Sequence, residues 1–183
     1  MALLHRLNVL DKEAEMKVHA LWHFVAALFA VSIHLIGAPD AAAQKIGEKI
    51  GDWTFNCTAV EANKTECALI QDLNLNVNDQ PRGRLLRASF TLSKTGFLLE
   101  TLLPLGIDIP QGVTVKVDQG EVNKMTLHRC ITAGCLASLN ITPGVLAALK
   151  KGQNMLVKFV VGAKSLEVPV SVKGLNDGLG KLK

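Results

Sequence analysis

Apolar and polar residues alternate with a period of two through most of the chain after residue 44. Val113, Val115 and Val117, for example, alternate with Thr114 and Lys116. Successive side chains of a β-strand point to opposite faces, so such a segment has one buried face and one exposed face. The pattern predicts strands near residues 52–58, 66–76, 84–93, 96–103, 113–118, 122–130, 135–141, 155–161 and 165–172.

Turn-forming residues separate these segments, as in Asn78-Asp79-Gln80-Pro81 and Pro110-Gln111-Gly112. Many short strands at this spacing are typical of an antiparallel β-sandwich or barrel. Pro169 has no N–H group to donate to a neighbouring strand, so its strand is predicted to lie at a sheet edge.

One helix is predicted between Thr142 and Gly152. Thr142 is a suitable N-cap, Pro143 suits the first helical position, and Lys150 and Lys151 suit the negative end of the helix dipole. The glycine-rich tail from residue 174 to 183 is expected to be frayed or to hold one short turn.

The segment 102–110 is apolar but interrupted by Pro104 and Gly106. A regular strand cannot run through it. A buried crossover between two sheets is favoured over an exposed apolar contact patch.

An apolar run at residues 22–38 precedes Ala41-Ala42-Ala43, the pattern of a secretory signal peptide with cleavage after Ala43. This predicts a leader at residues 1–43 and a single domain at 44–183, with no transmembrane segment after cleavage. An uncleaved membrane anchor is the alternative, but polar residues interrupt the run and it is short for a comfortable span. Acidic residues before Met16 are unusual in a leader, so Met16 is the predicted start.

All four cysteines lie in the predicted domain. An even number of cysteines in an exported domain predicts disulfides. Of the three possible pairings we favour the local one, Cys57 with Cys67 and Cys130 with Cys135. A four-cysteine zinc site is the alternative, but the nine residues between Cys57 and Cys67 are not typical of zinc ligands.

Charge indicates acidic partners. Removal of residues 1–43 takes away three basic and four acidic residues, so the net charge rises from +4 to +5. Arg82, Arg84 and Arg87 form the strongest local basic patch and are the candidate partner-binding residues, although a solvated hairpin tip explains them as well. The sequence has six Phe, two Trp and no Tyr, so the aromatic residues that accompany single-strand binding are scarce. Because export also removes the usual partner, we expect no nucleic acid as a partner.

Candidate catalytic residues are few. His128 is the sole histidine after residue 43, and it is predicted to be exposed on its strand. A catalytic histidine needs a nucleophile and an orienting partner. Asp108 is expected to be a loop residue. No catalytic, cofactor-binding or metal-binding residues are predicted, and we expect the protein not to be an enzyme.

Eight short segments, taken in order, resemble the invasion-associated locus B family. The resemblance spans about residues 45 to 178, and the order of the motifs makes it specific. The segments are Gly51-Asp52-Trp53 with Cys57, Glu66-Cys67-Ala68-Leu69-Ile70-Gln71, Leu103-Pro104-Leu105-Gly106, Ile109-Pro110-Gln111-Gly112-Val113, Arg129-Cys130, Gly134-Cys135-Leu136-Ala137, residues 146–152 and residues 169–174.

The resemblance implies a mainly β fold, an immunoglobulin-like antiparallel β-sandwich with one short helix, exported to the periplasm or the outer envelope. It implies a binding protein related to factors linked to host-cell entry, whose partner is an unknown protein or an acidic component of the envelope or host surface. A structural or chaperone-like periplasmic protein that works through strand-edge contacts is the alternative.

Overall fold

The computed structural model describes residues 46–62, 64–78 and 80–182. The predicted leader, its cleavage site and the predicted start at Met16 lie outside these residues. The described elements are β1 (Glu48–Ile50), β2 (Trp53–Glu61), β3 (Lys64–Val77), β4 (Gln80–Ser93), β5 (Gly96–Leu103), β6 (Val113–Val117), β7 (Asn123–Ile131), β8 (Gly134–Asn140), α1 (Pro143–Lys151), β9 (Asn154–Val161), β10 (Lys164–Ser171) and α2 (Leu175–Leu179).

The strands pair antiparallel in the order β1-β2-β3-β4-β5-β8-β7-β6-β9-β10. Strand β7 pairs with β8 through its second half and with β6 through its first half. It therefore connects two sheets. The first sheet contains β1 to β5, β8 and the end of β7, and the second contains the start of β7, β6, β9 and β10.

The inner faces of both sheets share one hydrophobic core. Trp53 and Phe90 of the first sheet meet edge to face, with ring centroids 5.4 Å apart, and Phe159 of the second sheet is buried in the same cluster. The mainly β, antiparallel fold predicted from the alternation is confirmed. The structure adds β1, whose three residues are too few to give a detectable alternation.

Helix α1 begins and ends where the sequence predicted. The Thr142 hydroxyl accepts a hydrogen bond from the Val145 N–H at 3.3 Å, and the Gly152 N–H donates to the Ala148 carbonyl. Within the described residues a second helix joins the single predicted one, because the tail forms α2, the short turn that was one of its two expected states. Leu175, Leu179 and Leu182 of the tail are buried, so it packs on the core and is not frayed.

The segment between β5 and β6 is the predicted crossover between the sheets, but the expectation of burial holds only in part. Ile107 is buried and pairs with Val161. Leu105 and Ile109 are 55% and 60% exposed. Leu105 lies in a turn with Gly106, and Ile109 begins the turn that ends at Gly112. Only Ile107, in the bridge between the two turns, therefore faces the core.

Strand β10, which carries Pro169, is the last strand of the order, so its predicted edge position is confirmed. Ser171 at its end is bound by side chains of the first sheet. The Gln71 carboxamide accepts from the Ser171 N–H at 3.0 Å and donates to the Ser171 carbonyl at 3.3 Å. The Trp53 indole N–H donates to the same carbonyl at 3.0 Å. Gln71 thus makes the two hydrogen bonds that a neighbouring strand would make.

We call this junction of Trp53, Gln71 and Ser171 the clasp. A backbone hydrogen bond stabilises the same junction: the Asp52 N–H donates to the Lys173 carbonyl at 3.1 Å. Gly51 and Gly174 lie at the crossing with φ of 59° and 81°. A Cβ on Gly51 would collide with the Lys173 carbonyl, and a Cβ on Gly174 with that of Ile50. Glycine is required at both positions because two backbones meet there.

The two disulfides have the local pairing that the sequence favoured, Cys57 with Cys67 and Cys130 with Cys135. Each joins residues that are directly opposite in paired strands, β2 with β3 and β7 with β8. They therefore fix the register of two hairpins in the first sheet.

Removal of the Gln71 carboxamide is predicted to destabilise the fold. Gln71→Ala leaves the Ser171 N–H without its described partner in a part-buried position, and we expect the free energy of unfolding to fall by about 2–4 kcal/mol. Urea denaturation measures this. Gln80→Ala is the control, since Gln80 is exposed and its loss should cost less than about 0.5 kcal/mol. Equal stability of the two variants would contradict the role of the clasp.

Reduction of the disulfides is predicted to lower stability by about 2–3 kcal/mol for each bridge in the chain-entropy model. The Cys57–Cys67 bridge spans 10 residues and the Cys130–Cys135 bridge spans 5, so the first should contribute slightly more. Thermal melts of oxidised and reduced protein, with each cysteine pair replaced by alanine in turn, separate the two contributions. An unchanged melting temperature on full reduction would show the estimate to be wrong.

Candidate partner-binding surface

Strand β4 carries the three arginines that the sequence identified. Arg82 is exposed near the turn that joins β3 to β4, while Arg84 and Arg87 are half-buried. The Arg84 guanidinium donates to the Ala133 carbonyl at 3.4 Å, in the turn between β7 and β8. Arg87 binds Asp72 of β3 through Nε and Nη2, both at 2.7 Å. Arg84 and Arg87 are therefore held in different directions.

Asp72 is the acidic partner of this basic region. Its hydrogen bonds from Arg87 hold the pKa of the carboxyl below its ordinary value, against the opposing effect of partial burial. The positive charges of Arg87, Arg84 and Lys49 lower the pKa of Asp72 further, and the same contact raises the pKa of Arg87. Asp72 is thus ionised at neutral pH and offsets one of the surrounding positive charges.

A fourth arginine joins the group through the register of the sheet. Arg87 lies opposite Leu102, Leu102 opposite Leu136, and Leu136 opposite Arg129. Directly opposed residues of antiparallel strands project from the same face, so these four side chains form a row across β4, β5, β8 and β7. Arg129 is exposed. We call Arg82, Arg84, Arg87 and Arg129 the arginine surface.

Sequence reasoning missed Arg129 because it grouped basic residues by closeness along the chain. Arg129 belongs to one of the matched motifs, beside Cys130, but the sequence carries no signal of strand pairing between residues 87 and 129. Only the order of the strands brings the two arginines onto one face.

Acidic groups border the arginine surface on one side. Glu100 lies in the next row, opposite both Ser89 and Ser138. An open polar cavity of about 440 Å³ adjoins Arg87 and is lined in part by Lys49 and Asp52. The row from Arg87 to Arg129 holds two arginines and two leucines, Asp72 adjoins its Arg87 end, and Glu100 marks its border.

His128 is exposed, as the sequence predicted, at a register shift of β7. Its Nε2 lies 2.7 Å from the Ser138 hydroxyl. This is the spacing of a nucleophile and its base, but such a pair also needs a group that orients the histidine and donors for an oxyanion. The side-chain hydrogen bond described for His128 is the one to Ser138, and the contact is a cross-strand polar pair.

Asp108 is a turn residue. Its carboxylate accepts from the Gln111 N–H at 3.4 Å, and its own N–H donates to the Val160 carbonyl. Over residues 46–62, 64–78 and 80–182, no cluster of three or more His, Cys, Asp or Glu residues could hold a metal ion. Within the same ranges, no helix is long and apolar enough to cross a membrane.

The fold and its bonds define a class: an antiparallel β-protein with two intrachain disulfides and several arginines on an outer face. Residues 53–183 match the family model described as invasion associated locus B (IalB) protein. The chain belongs to this family. The motifs at residues 51–53, 66–71 and 169–174 converge at the clasp, so their shared role here is structural.

Individual relatives support the same conclusion. The chain is 28% identical over 160 residues to an invasion protein B homologue of Brucella abortus (strain 2308) and to another of B. abortus biovar 1 (strain 9-941). Each match covers 86% of this chain and 90% of the relative. The crystal structure of invasion associated protein B from Bartonella henselae superposes with a TM-score of 0.63 at 25% identity, over 75% of this chain and 95% of that one.

Stability is predicted to depend on the ionisation of Asp72. The pKa of Asp72 is lower in the folded state than its ordinary value of 3.8. The contribution of the ionised carboxylate to the free energy of unfolding is therefore fully present above that value, and it is lost as the pH falls through the folded pKa. Asp72→Asn should therefore cost stability near pH 7, by less than about 1 kcal/mol for this half-exposed pair, and progressively less below pH 4.

Urea unfolding between pH 2 and pH 7 measures this difference. Glu121→Gln is the control, since Glu121 is exposed and should give a difference near zero. A constant offset between Asp72→Asn and the unmodified protein at every pH would count against ionisation as the cause.

Proposed function

We propose that this chain is an exported envelope protein that acts by binding an acidic partner at the arginine surface. The observation that carries the proposal is the row of Arg87, Leu102, Leu136 and Arg129 on the outer face of the first sheet. Its relatives are named for invasion, an activity in which a bacterial envelope meets another surface. A basic face on a rigid sheet is suited to such contact.

Export is the first part of the proposal. The predicted leader at residues 1–43 supports it, and so do the two disulfides, because such bonds form and persist in oxidising compartments. We place the protein in the periplasm or at the outer envelope, with the start at Met16 and cleavage after Ala43.

Binding rather than catalysis is the second part. The pair of His128 and Ser138 lies on an exposed strand face, and its described contacts supply neither an orienting acid nor oxyanion donors. We therefore propose that the protein is not an enzyme.

The arginine surface supports this function better than the strand-edge alternative. Recognition at an edge needs free N–H and C=O groups along the strand. On β10, Pro169 has no N–H, and both backbone groups of Ser171 are bound by the clasp. The Ser171 end of this edge is therefore not free to pair with another chain.

Photo-crosslinking in living cells tests the proposal. A photoreactive residue at Thr126, exposed on the first sheet beside the arginine surface, should give crosslinked products. The same residue at Ser165, exposed on the second sheet, should give several-fold less. Arg129→Ala should reduce the crosslinks from Thr126, because it removes one of the proposed contacts.

Thiol alkylation of the same cells tests export, with no free thiol expected in the processed protein. Equal crosslinking from Thr126 and Ser165 would contradict the binding surface. Free thiols in an unprocessed chain would contradict export.

A further inference from the structure

We propose that the acidic partner is a linear polyanionic glycan, with sulfate or carboxylate groups, that lies across strands β4, β5, β8 and β7. This inference rests on the proposed function and specifies the partner of the same surface. It follows from how the guanidinium groups are spaced and held.

The arginines are too far apart for one small anion. Neighbouring strands lie about 4.8 Å apart, so the three steps from Arg87 to Arg129 separate their backbones by about 14 Å. The Arg87 side chain is drawn to Asp72 on β3, away from β5 and from Arg129. The two charges cannot converge, and a ligand that meets both must carry separated negative groups.

The positions of two guanidiniums are fixed before any ligand binds. Arg87 uses Nε and Nη2 on Asp72, and Arg84 uses Nη2 on the Ala133 carbonyl. A guanidinium has five N–H donors, so each arginine keeps donors for a sulfate or carboxylate. Side chains that are already ordered lose less entropy on binding, which favours a specific contact.

The surface between the arginines suits a sugar chain more than a lipid bilayer. Leu102 and Leu136, the two residues between the arginines in the row, are half-buried and present little apolar surface for insertion into a bilayer. Docking on a bilayer would instead need exposed apolar side chains among the charges. The most exposed large apolar residues, Ile46, Ile109 and Val122, lie outside the row from Arg87 to Arg129. Leu75 and Ile131 are 45% and 44% exposed near its ends, in β3 and β7, but the residues within the row are not.

Glu100 limits the path that the glycan can take across the sheet. It borders the row on the side of Ser89 and Ser138, so a polyanion is directed toward Arg84, Arg82 and the turn at Ala133. Arg84 and Arg129 would then contact the same glycan at neighbouring anionic groups.

Heparin, a linear sulfated glycan, is the probe. Titration calorimetry with the disulfide-bonded protein purified from the periplasm should show binding that strengthens with oligosaccharide length. Binding should weaken steeply with salt, because each ionic contact releases counterions. Arg129→Ala and Arg82→Ala should each weaken binding by about five- to tenfold at low salt and lower the salt slope by about one.

Lys164→Ala is the matched control, since it removes one positive charge from an exposed position on the second sheet and should change affinity less than about twofold. Both arginines are exposed, so we expect their variants to fold, and thermal melts check this. The proposal is overturned if Lys164→Ala has the same effect as Arg129→Ala. It is also overturned if inorganic sulfate at equal charge competes as well as the polymer, or if vesicles with anionic lipid bind in an Arg129-dependent way while heparin does not.

The crosslinking experiment separates the two proposals. If Arg129→Ala abolishes crosslinks from Thr126 in cells but leaves heparin affinity unchanged, the binding surface is correct and the glycan is wrong. If neither measurement depends on Arg129, the proposed function itself fails.

Discussion

The hydrogen bonds between the Gln71 carboxamide and the backbone of Ser171 are the interaction on which the rest of this structure depends. A ten-stranded antiparallel sheet that folds over one core leaves an edge strand with unpaired backbone groups. Gln71 is 8% exposed, so its own amide also needs partners inside the protein. The clasp satisfies both requirements at one point, and Gly51 and Gly174 allow the backbones to approach closely enough for it to form.

The clasp and the arginine surface use opposite faces of the first sheet. Residues of β2 and β3 that face the core hold the second sheet in place, while Asp72, the next residue after Gln71, faces outward and orients Arg87. At the other end of the row, the Cys130–Cys135 bridge fixes the turn whose Ala133 carbonyl binds Arg84. The arginines are therefore positioned by the same strands and covalent bonds that stabilise the fold.

Local patterns predicted much of the fold. Alternation located nine of the ten strands in the described residues, because each has one buried and one exposed face. The capping residues Thr142 and Gly152 located α1 for equally local reasons. The sequence did not reveal β1, which is too short for periodicity, or α2, whose glycines obscured the packing of Leu175 and Leu179 on the core.

Long-range pairing could not be predicted in this way. Arg129 lies in one row with Arg87 only because β5 and β8 lie between their strands. In the sequence Gln71 is an ordinary polar residue of a strand, and its role follows only from the position of β10 beside it. The crossover is an intermediate case: its irregular backbone was foreseen from Pro104 and Gly106, but the exposure of Leu105 and Ile109 depends on how the two sheets meet.

Hydrogen exchange of the Ser171 amide, followed by NMR in the native protein, tests the clasp most directly. This N–H points away from β9 on an edge strand, and its described partner is the Gln71 side chain. The account predicts exchange as slow as that of core amides such as Val157, through global unfolding. Exchange at the rate of an exposed edge amide would show that the end of β10 is not bound to Gln71 of β3 and would contradict the account.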